Sequence, residues 1–333
     1  MWSWIKRIVL IALCLSLLAS AELAWYAFSP VPLRTDPAEF SIKAGSSLKN
    51  ATRQMIESGV ELGAWKFNLL GRLLGKAASI KAGSYEVRGG ITPLALLDKL
   101  SAGEVTQTEL AFIEGWTFRQ MRAALDADPE VRHDSSALSD AQIMTRLDAA
   151  GRSPEGLFFP DTYLFGKGSS DLEILRRAYQ AMQRQLQAEW EQRAPDLPYR
   201  SPYEALIMAS VIEKETGEST DRAMIGGVFV NRLRIGMMLQ TDPTVIYGLG
   251  EKFDGNLRKK DLRADTPHNT YTRAGLPPTP ICMPGQAALH AALNPAQTKA
   301  LYFVARGDGT SEFSHTLAEH ERAVSKYQRR GKH

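Results

Sequence analysis

The chain has 333 residues, 44% of them hydrophobic and 23% charged. That balance belongs to a folded globular protein and excludes wholesale disorder or a collagen-like repeat. Lys and Arg total 40 against 37 Asp and Glu, a formal charge of +3. So small an excess argues against a nucleic-acid partner. There are two cysteines, and Cys14 sits in a very apolar run far from Cys282, which excludes a disulfide framework and a cysteine-rich zinc site. At about 100–200 residues per domain, the length holds two domains and some extra chain.

The N-terminus sets the compartment. Met1 to Arg7 carries Lys6 and Arg7 and no acid, Ile8 to Ala21 is free of charge, and Glu22 is followed by Leu23-Ala24-Trp25-Tyr26-Ala27-Phe28. As a helix, Ile8 to Phe28 is about 31 Å long, enough to cross a bilayer core. The basic flank stays cytoplasmic. Residues 1–29 are therefore expected to form a short cytoplasmic stub and a single membrane anchor, with the rest of the chain outside the cytoplasm. Trp25, Tyr26 and Phe28 would sit among the outer headgroups. Ala19-Ser20-Ala21 also has the small-x-small form of a leader-cleavage site, so a removed signal peptide is the competing expectation. Either way the compartment holds no nucleotide supply, which argues against kinases and dinucleotide enzymes, and the sequence contains no glycine-rich phosphate loop.

Pro30 to Pro37 reads as a linker, with residues 30–38 joining the anchor to the first folded module. A weak repeat with a period of 45 residues comes next: Phe40-Ser41-Ile42-Lys43-Ala44-Gly45-Ser46-Ser47 aligns with Tyr85-Glu86-Val87-Arg88-Gly89-Gly90-Ile91-Thr92. Each copy is an alternating strand, a glycine turn and a Ser or Thr able to cap a helix. Helices are expected near Leu48–Ser58 and Pro93–Ser101, stopping at Gly59 and Gly103. Two such units can pair their strands and cover one face with helices. The expectation is a small α+β module over residues 39–105, of the size and pattern of a glycan-binding LysM-like domain.

A larger α+β domain is expected over residues 106–333. Thr108–Ile113 reads as a strand, Thr117–Leu125 as a helix and Asp126–Ser139 as polar turns. Gly156 to Phe165 is dense in aromatics, and Leu172–Glu191 is a long amphipathic helix. Leu301–Ala305, the turn Arg306-Gly307-Asp308-Gly309 and Ser311–Ser314 make a hairpin. Thr316 with Glu319 then forms a capping box for a last helix.

The chemistry centres on Ser201-Pro202-Tyr203-Glu204, a helix start with an N-cap, a first-turn proline and a capping-box glutamate. Ala205 to Ile212 is apolar almost all round, which marks a buried helix. It runs into Glu213-Lys214-Glu215-Thr216-Gly217, with Gly217 suited to end it. Glu213 continues the row of Leu206, Ala209 and Ser210, whereas Glu215 projects about 200° away. A carboxyl at the end of a buried helix is partly desolvated and feels the negative helix terminus. Both raise its pKa and suit a general acid. A structural alternative pairs Glu213 with Lys214 or Arg222. Downstream, Met224–Leu233 reads as a helix. Leu239 to Gly248, Asn269-Thr270-Tyr271 and Gly275-Leu276-Pro277-Pro278 then mix amides, hydroxyls, aromatic rings and turns. That is the combination that binds sugars.

At these residues the chain resembles the endolytic murein transglycosylase (YceG-like) family, most densely from Glu155 to Val324. The shared words are Glu155-Gly156-Leu157-Phe158-Phe159-Pro160-Asp161-Thr162-Tyr163, Ala209-Ser210-Val211-Ile212-Glu213-Lys214-Glu215-Thr216 and Val228-Phe229-Val230-Asn231-Arg232-Leu233. Leu239-Gln240-Thr241-Asp242-Pro243-Thr244-Val245-Ile246-Tyr247-Gly248, Asn269-Thr270-Tyr271 and Gly275-Leu276-Pro277-Pro278 complete them. The resemblance implies a membrane anchor, a LysM-like subdomain and a catalytic domain facing the cell wall. The first glutamate of Glu-Lys-Glu-Thr, Glu213, is implied as the catalytic residue. His268, where the family has Tyr, and the polar insert at Asp126–Ser139 depart from the pattern.

The expected reaction is cleavage of the MurNAc-β-1,4-GlcNAc bond of peptidoglycan, with Glu213 as acid and then as base and a 1,6-anhydro-MurNAc end as product. Asn231, Gln240 and Tyr271 are candidates for orienting the acetamido group or stabilising charge. Thr241, Asp242, Tyr247, Asn269 and Glu155 are further substrate-binding candidates. No cofactor is required. His315 and His320 are five apart, off a single helix face, and His268 and His290 are isolated, so no metal set is expected. The partners implied are glycan strands, the membrane and cell-wall synthesis proteins. Two alternatives stand beside this reading: a muramidase using water with Glu213 and Glu215 or Asp242, and a wall-binding scaffold without activity.

Overall fold

The computed structural model describes residues 2–43, 45–215 and 221–329. Thr216 and Gly217 of the glutamate motif, and Ala44 of the first repeat copy, lie outside the described residues. Met1–Thr108 with Leu164–Ser169 makes one compact unit, and Glu109–Tyr163 with Ser170–His333 makes another. Both mix helices with short antiparallel strands, so the chain is α+β with an apolar N-terminal helix.

The first unit contains α1 (Trp2–Phe28), β1 (Ala38–Ile42), α2 (Leu48–Glu57), α3 (Ala64–Leu73), β2 (Gly83–Val87) and α4 (Pro93–Ala102). By length and composition α1 is able to cross a membrane, and Ile8, Leu10, Leu13 and Leu17 along it are exposed. In β1 the alternation puts Ala38, Phe40 and Ile42 on the buried face. β1 pairs antiparallel with β2, and Phe40 falls opposite Tyr85. Their rings stack with centroids 5.6 Å apart. These are the aligned positions of the two repeat copies, so the copies do pair strand to strand. Ser47 and Thr92 cap α2 and α4 by accepting the Asn50 and Ala95 N–H groups. α4 stops at Gly103, which adopts the left-handed conformation (φ 76°) that glycine tolerates. The repeat gives no sign of α3, which lies between its copies. The segment expected as a linker is held in this unit: Val31 is buried and donates its N–H to Ile91 O at 2.8 Å, and Arg34 N–H reaches Gly59 O at 2.9 Å.

β3 (Gln107–Ala111) and β4 (Thr162–Gly166) form a two-stranded sheet, and the chain passes between the units along them. Between these strands lie α5 (Phe118–Ala127) and α6 (Asp140–Arg146). After them come α7 (Asp171–Glu191), α8 (Pro202–Glu215), α9 (Arg222–Arg234), α10 (Asp242–Leu249), α11 (Lys259–Arg263) and α12 (Gln286–Leu293). The hairpin β5 (Tyr302–Ala305) and β6 (Ser311–Ser314) and helix α13 (Leu317–Val324) complete the unit. The helices expected at Thr117, Leu172 and Met224, and the C-terminal hairpin, are present with slightly displaced ends. The capping box of Thr316 and Glu319 starts α13. Asp242 to Leu249 reads as polar turns in sequence but is helical, with Pro243 in a first turn that needs no N–H.

α8 is the axis of the second unit. Ala205 to Ile212 are all buried, enclosed by α7, α9, α10 and α12. Its N-terminus forms only half of the expected capping box. Ser201 Oγ accepts the Glu204 N–H at 3.4 Å. The Glu204 carboxylate, however, turns to Arg200, accepting from its N–H at 2.7 Å and its Nε at 2.9 Å. α9 and α12 approach closely because Gly226 has no side chain: a Cβ there would stand 2.5 Å from the Ala291 carbonyl oxygen.

Candidate active site

α8 delivers Glu213 to the point where a strap, residues 280–285, crosses its end. Ser210, one turn earlier, fixes the strap: its Oγ accepts the Ile281 N–H at 3.0 Å, and its carbonyl accepts the Cys282 thiol at 3.3 Å. The strap is held from its other side by residues 115–116, with Gly115 N–H on Met283 O at 2.9 Å and Met283 N–H on Trp116 O at 2.7 Å. At the strap's end the Gly285 N–H donates to Glu213 Oε2 at 2.9 Å. Gly285 is the N-cap of α12, so this donor belongs to the positive end of a helix.

Glu213 Oε1 faces Arg222 Nη2 at 3.2 Å, and the two side chains are 5% and 14% exposed. Lys214 turns away to the Gly115 carbonyl at 3.3 Å. Burial pushes the Glu213 carboxyl up from its ordinary range. The Gly285 N–H and then Arg222 pull against that, while the carboxylate of Glu114 adds to it. Glu114 leans over Gly285, where its carboxylate leaves no room for a Cβ. The result is an acid whose proton is held by burial and whose conjugate base already has two donors waiting. Such a group is able to give a proton and to take one back.

The other sequence candidates form two further clusters. Glu215, on the opposite face of α8, accepts from the Thr241 hydroxyl, and burial raises its pKa. Thr241 N–H donates to Thr270 Oγ1 at 3.1 Å, and the Thr270 hydroxyl shares a 2.8 Å hydrogen bond with Thr244. Gln240 has a left-handed backbone (φ 49°), an exposed side chain, and its N–H on Thr270 O at 3.1 Å. Tyr271 donates its hydroxyl to Asp242 at 2.6 Å on the exposed rim of this cluster. In the second cluster the Tyr247 hydroxyl donates to Glu155 Oε2 at 3.2 Å, and the Tyr247 ring meets His268 edge-on at 4.8 Å. His268 Nε2 lies 2.9 Å from the Thr279 hydroxyl.

Glu155 also reaches outside its own loop. Its Oε1 accepts the Phe118 N–H at the start of α5, at 3.0 Å. It is 6% exposed, and burial pushes its carboxyl up to about 7. Two amides are committed to the backbone. Asn231 Nδ2 donates to Thr298 O at 2.8 Å and Ala300 O at 3.1 Å. Asn269 Nδ2 donates to the carbonyls of Asp261, Leu262 and Ala264, and its Oδ1 accepts the Tyr271 N–H. Glu114 and Gly285 are not legible as site residues in the sequence. They lie on distant loops with no local motif, and only the folded strap brings them to Glu213.

The sequence model of the YceG-like family matches residues 40–326. An endolytic murein transglycosylase of Bacillus subtilis is 34% identical over 270 residues, covering 75% of this chain and 74% of that protein. An endolytic murein transglycosylase of Streptococcus pneumoniae is 26% identical over 282 residues, 74% of this chain, but the alignment spans only 51% of that longer protein. A crystal structure of a yceG-like protein from Listeria monocytogenes matches with a TM-score of 0.54 at 30% identity, covering 86% of this chain and 98% of that one. With the family pattern running through most of its length, the chain belongs to the YceG-like family.

Proposed function

We propose that the chain is an endolytic lytic transglycosylase that cuts the MurNAc-β-1,4-GlcNAc bond of peptidoglycan and leaves a 1,6-anhydro-MurNAc end. The names of the two aligned relatives support peptidoglycan as substrate. The observation that carries the mechanism is the setting of Glu213: withdrawn from water, with a raised pKa, and held by the Gly285 N–H and Arg222.

Protonated Glu213 gives its proton to the glycosidic oxygen, which stays on C4 of GlcNAc and departs as its hydroxyl. The bond to C1 of MurNAc then breaks through an oxocarbenium-like state. The carboxylate, steadied by Gly285 and Arg222, next removes the proton from the MurNAc C6 hydroxyl as that oxygen closes on C1. No water is consumed. The nucleophile belongs to the substrate, so proximity replaces a second catalytic carboxylate. A hydrolytic muramidase needs that second group. Glu215 and Asp242 are occupied by Thr241 and Tyr271.

α1 serves as a single membrane anchor, with the catalytic domain (residues 106–333) outside the cytoplasm. The paired-repeat module (residues 39–105) acts as a LysM-like glycan holder. Gln240, Asp242 and Tyr271, on an exposed rim, contact the sugar, and cutting limits the length of nascent strands beside the wall-synthesis proteins. Mass spectrometry of glycans released from murein tests the reaction: anhydro ends support it, and products heavier by one water identify a muramidase.

A further inference from the structure

α3 carries two apolar faces. Phe67 and Leu70 enter the core of the first unit. Trp65, Leu69 and Leu73, four residues apart on the other face, are 65%, 38% and 67% exposed. A continuous apolar strip of this kind marks an interaction surface. It faces α1: Ser16, Ser20 and Leu23 share one groove with Trp65, Leu69 and Leu73. Lys66 Nζ pairs with Glu22 at 2.6 Å beside that groove, and the Tyr26 hydroxyl donates to Gly63 O at 3.4 Å. The last turn of α1 is therefore packed on the module, with Ala27 and Val31 in its core.

The span is interrupted once on its outer side: the uncharged residues 8–21 end at Glu22, and the apolar residues 23–28 resume beyond it. Placed beside this part of α1, the α3 strip adds apolar surface around the Glu22 break. A tryptophan suits the interface, and an amphipathic helix lies flat there. On the other flank of Trp65 and Leu69, Lys49, Arg53 and Arg72 line a second groove together with Glu57, which lies 3.9 Å from Arg53; the net positive charge complements lipid phosphates.

We propose that α3 lies in the outer leaflet of the membrane that α1 crosses, with Trp65, Leu69 and Leu73 among the acyl chains and the Lys66–Glu22 pair at headgroup level. The module is then fixed on the bilayer surface instead of swinging on a tether. This placement rests on α1 being a retained anchor, and the test separates the two.

Full-length protein with Cys14→Ser is reconstituted in phosphatidylcholine–phosphatidylglycerol vesicles, and an environment-sensitive dye is attached at Leu73→Cys, Leu17→Cys or Asn256→Cys in turn. Cys282 is buried and takes no label. The expected result is that the Leu73 dye emits to the blue of the Asn256 dye, is quenched by spin-labelled lipid and is several-fold less quenched by iodide. If the Leu17 dye is lipid-quenched but the Leu73 dye behaves like that at Asn256, the anchor stands and the α3 placement is wrong. If the Leu17 dye is also open to iodide, α1 is not in the bilayer and both readings fall.

Discussion

Arg222 Nη2 and Glu213 Oε1 stand 3.2 Å apart at the end of α8, whose residues Ala205 to Ile212 are all buried. The guanidinium favours the carboxylate against a burial that favours the acid. Replacing Arg222 with Met removes that pull and raises the Glu213 pKa further. The alkaline limb of the pH profile of kcat/KM for murein cleavage, where the acid loses its proton, then moves to higher pH. An unmoved limb would show that Arg222 only fills space.

Glu114→Gln acts in the opposite sense. Its negative charge helps to hold the proton on Glu213, so its loss lowers the Glu213 pKa and moves the same limb to lower pH. Glu114 is exposed, so urea unfolding should place the variant within about 0.5 kcal/mol of the parent.

Glu155 governs a pH dependence of stability. Its folded pKa is about 7, against an ordinary value of 4.5. Between these values the native state keeps a proton that the unfolded chain has released, so stability is present at low pH and is lost as pH rises through the window. The loss amounts to about 3 kcal/mol. A Glu155→Gln variant retains an acceptor for the Phe118 N–H and should lack this decline. Denaturant unfolding of both proteins from acid to neutral pH checks it.

Gly226→Ala sets propensity against packing. In a free helix the change stabilises by about 1 kcal/mol. Here the new Cβ would stand 2.5 Å from the Ala291 carbonyl oxygen, a backbone atom, so α9 and α12 must separate. The expected outcome is a loss of about 1–3 kcal/mol, read from the urea midpoint.

Much of the architecture is written in local sequence. The paired repeat, the Thr316 cap, the buried run Ala205–Ile212 and the position of Glu213 at its end all derive from patterns within a few residues. α3, α10 and α12 are not legible there, because their apolar residues lack a clean period or come after turn-like residues such as Pro243 and Gly285. At the site, sequence supplies the acid but not its surroundings. Arg222 stands out in sequence only as a structural ion-pair partner. The Gly285 N–H and Glu114 depend on a strap anchored to Ser210, a long-range contact with no local signature. Asn231 and Asn269 stand out as polar residues among sugar-binding stretches, yet their amides tie down backbone carbonyls.

The most direct test is product analysis of full-length protein acting on purified murein, beside Glu213→Gln. The expected result is endolytic fragments with 1,6-anhydro-MurNAc ends from the parent chain, and a rate about 10²–10⁴-fold lower in the variant with an unchanged circular dichroism spectrum. Near-parental cleavage by a folded Glu213→Gln protein would contradict the assignment of Glu213 as the acid and base.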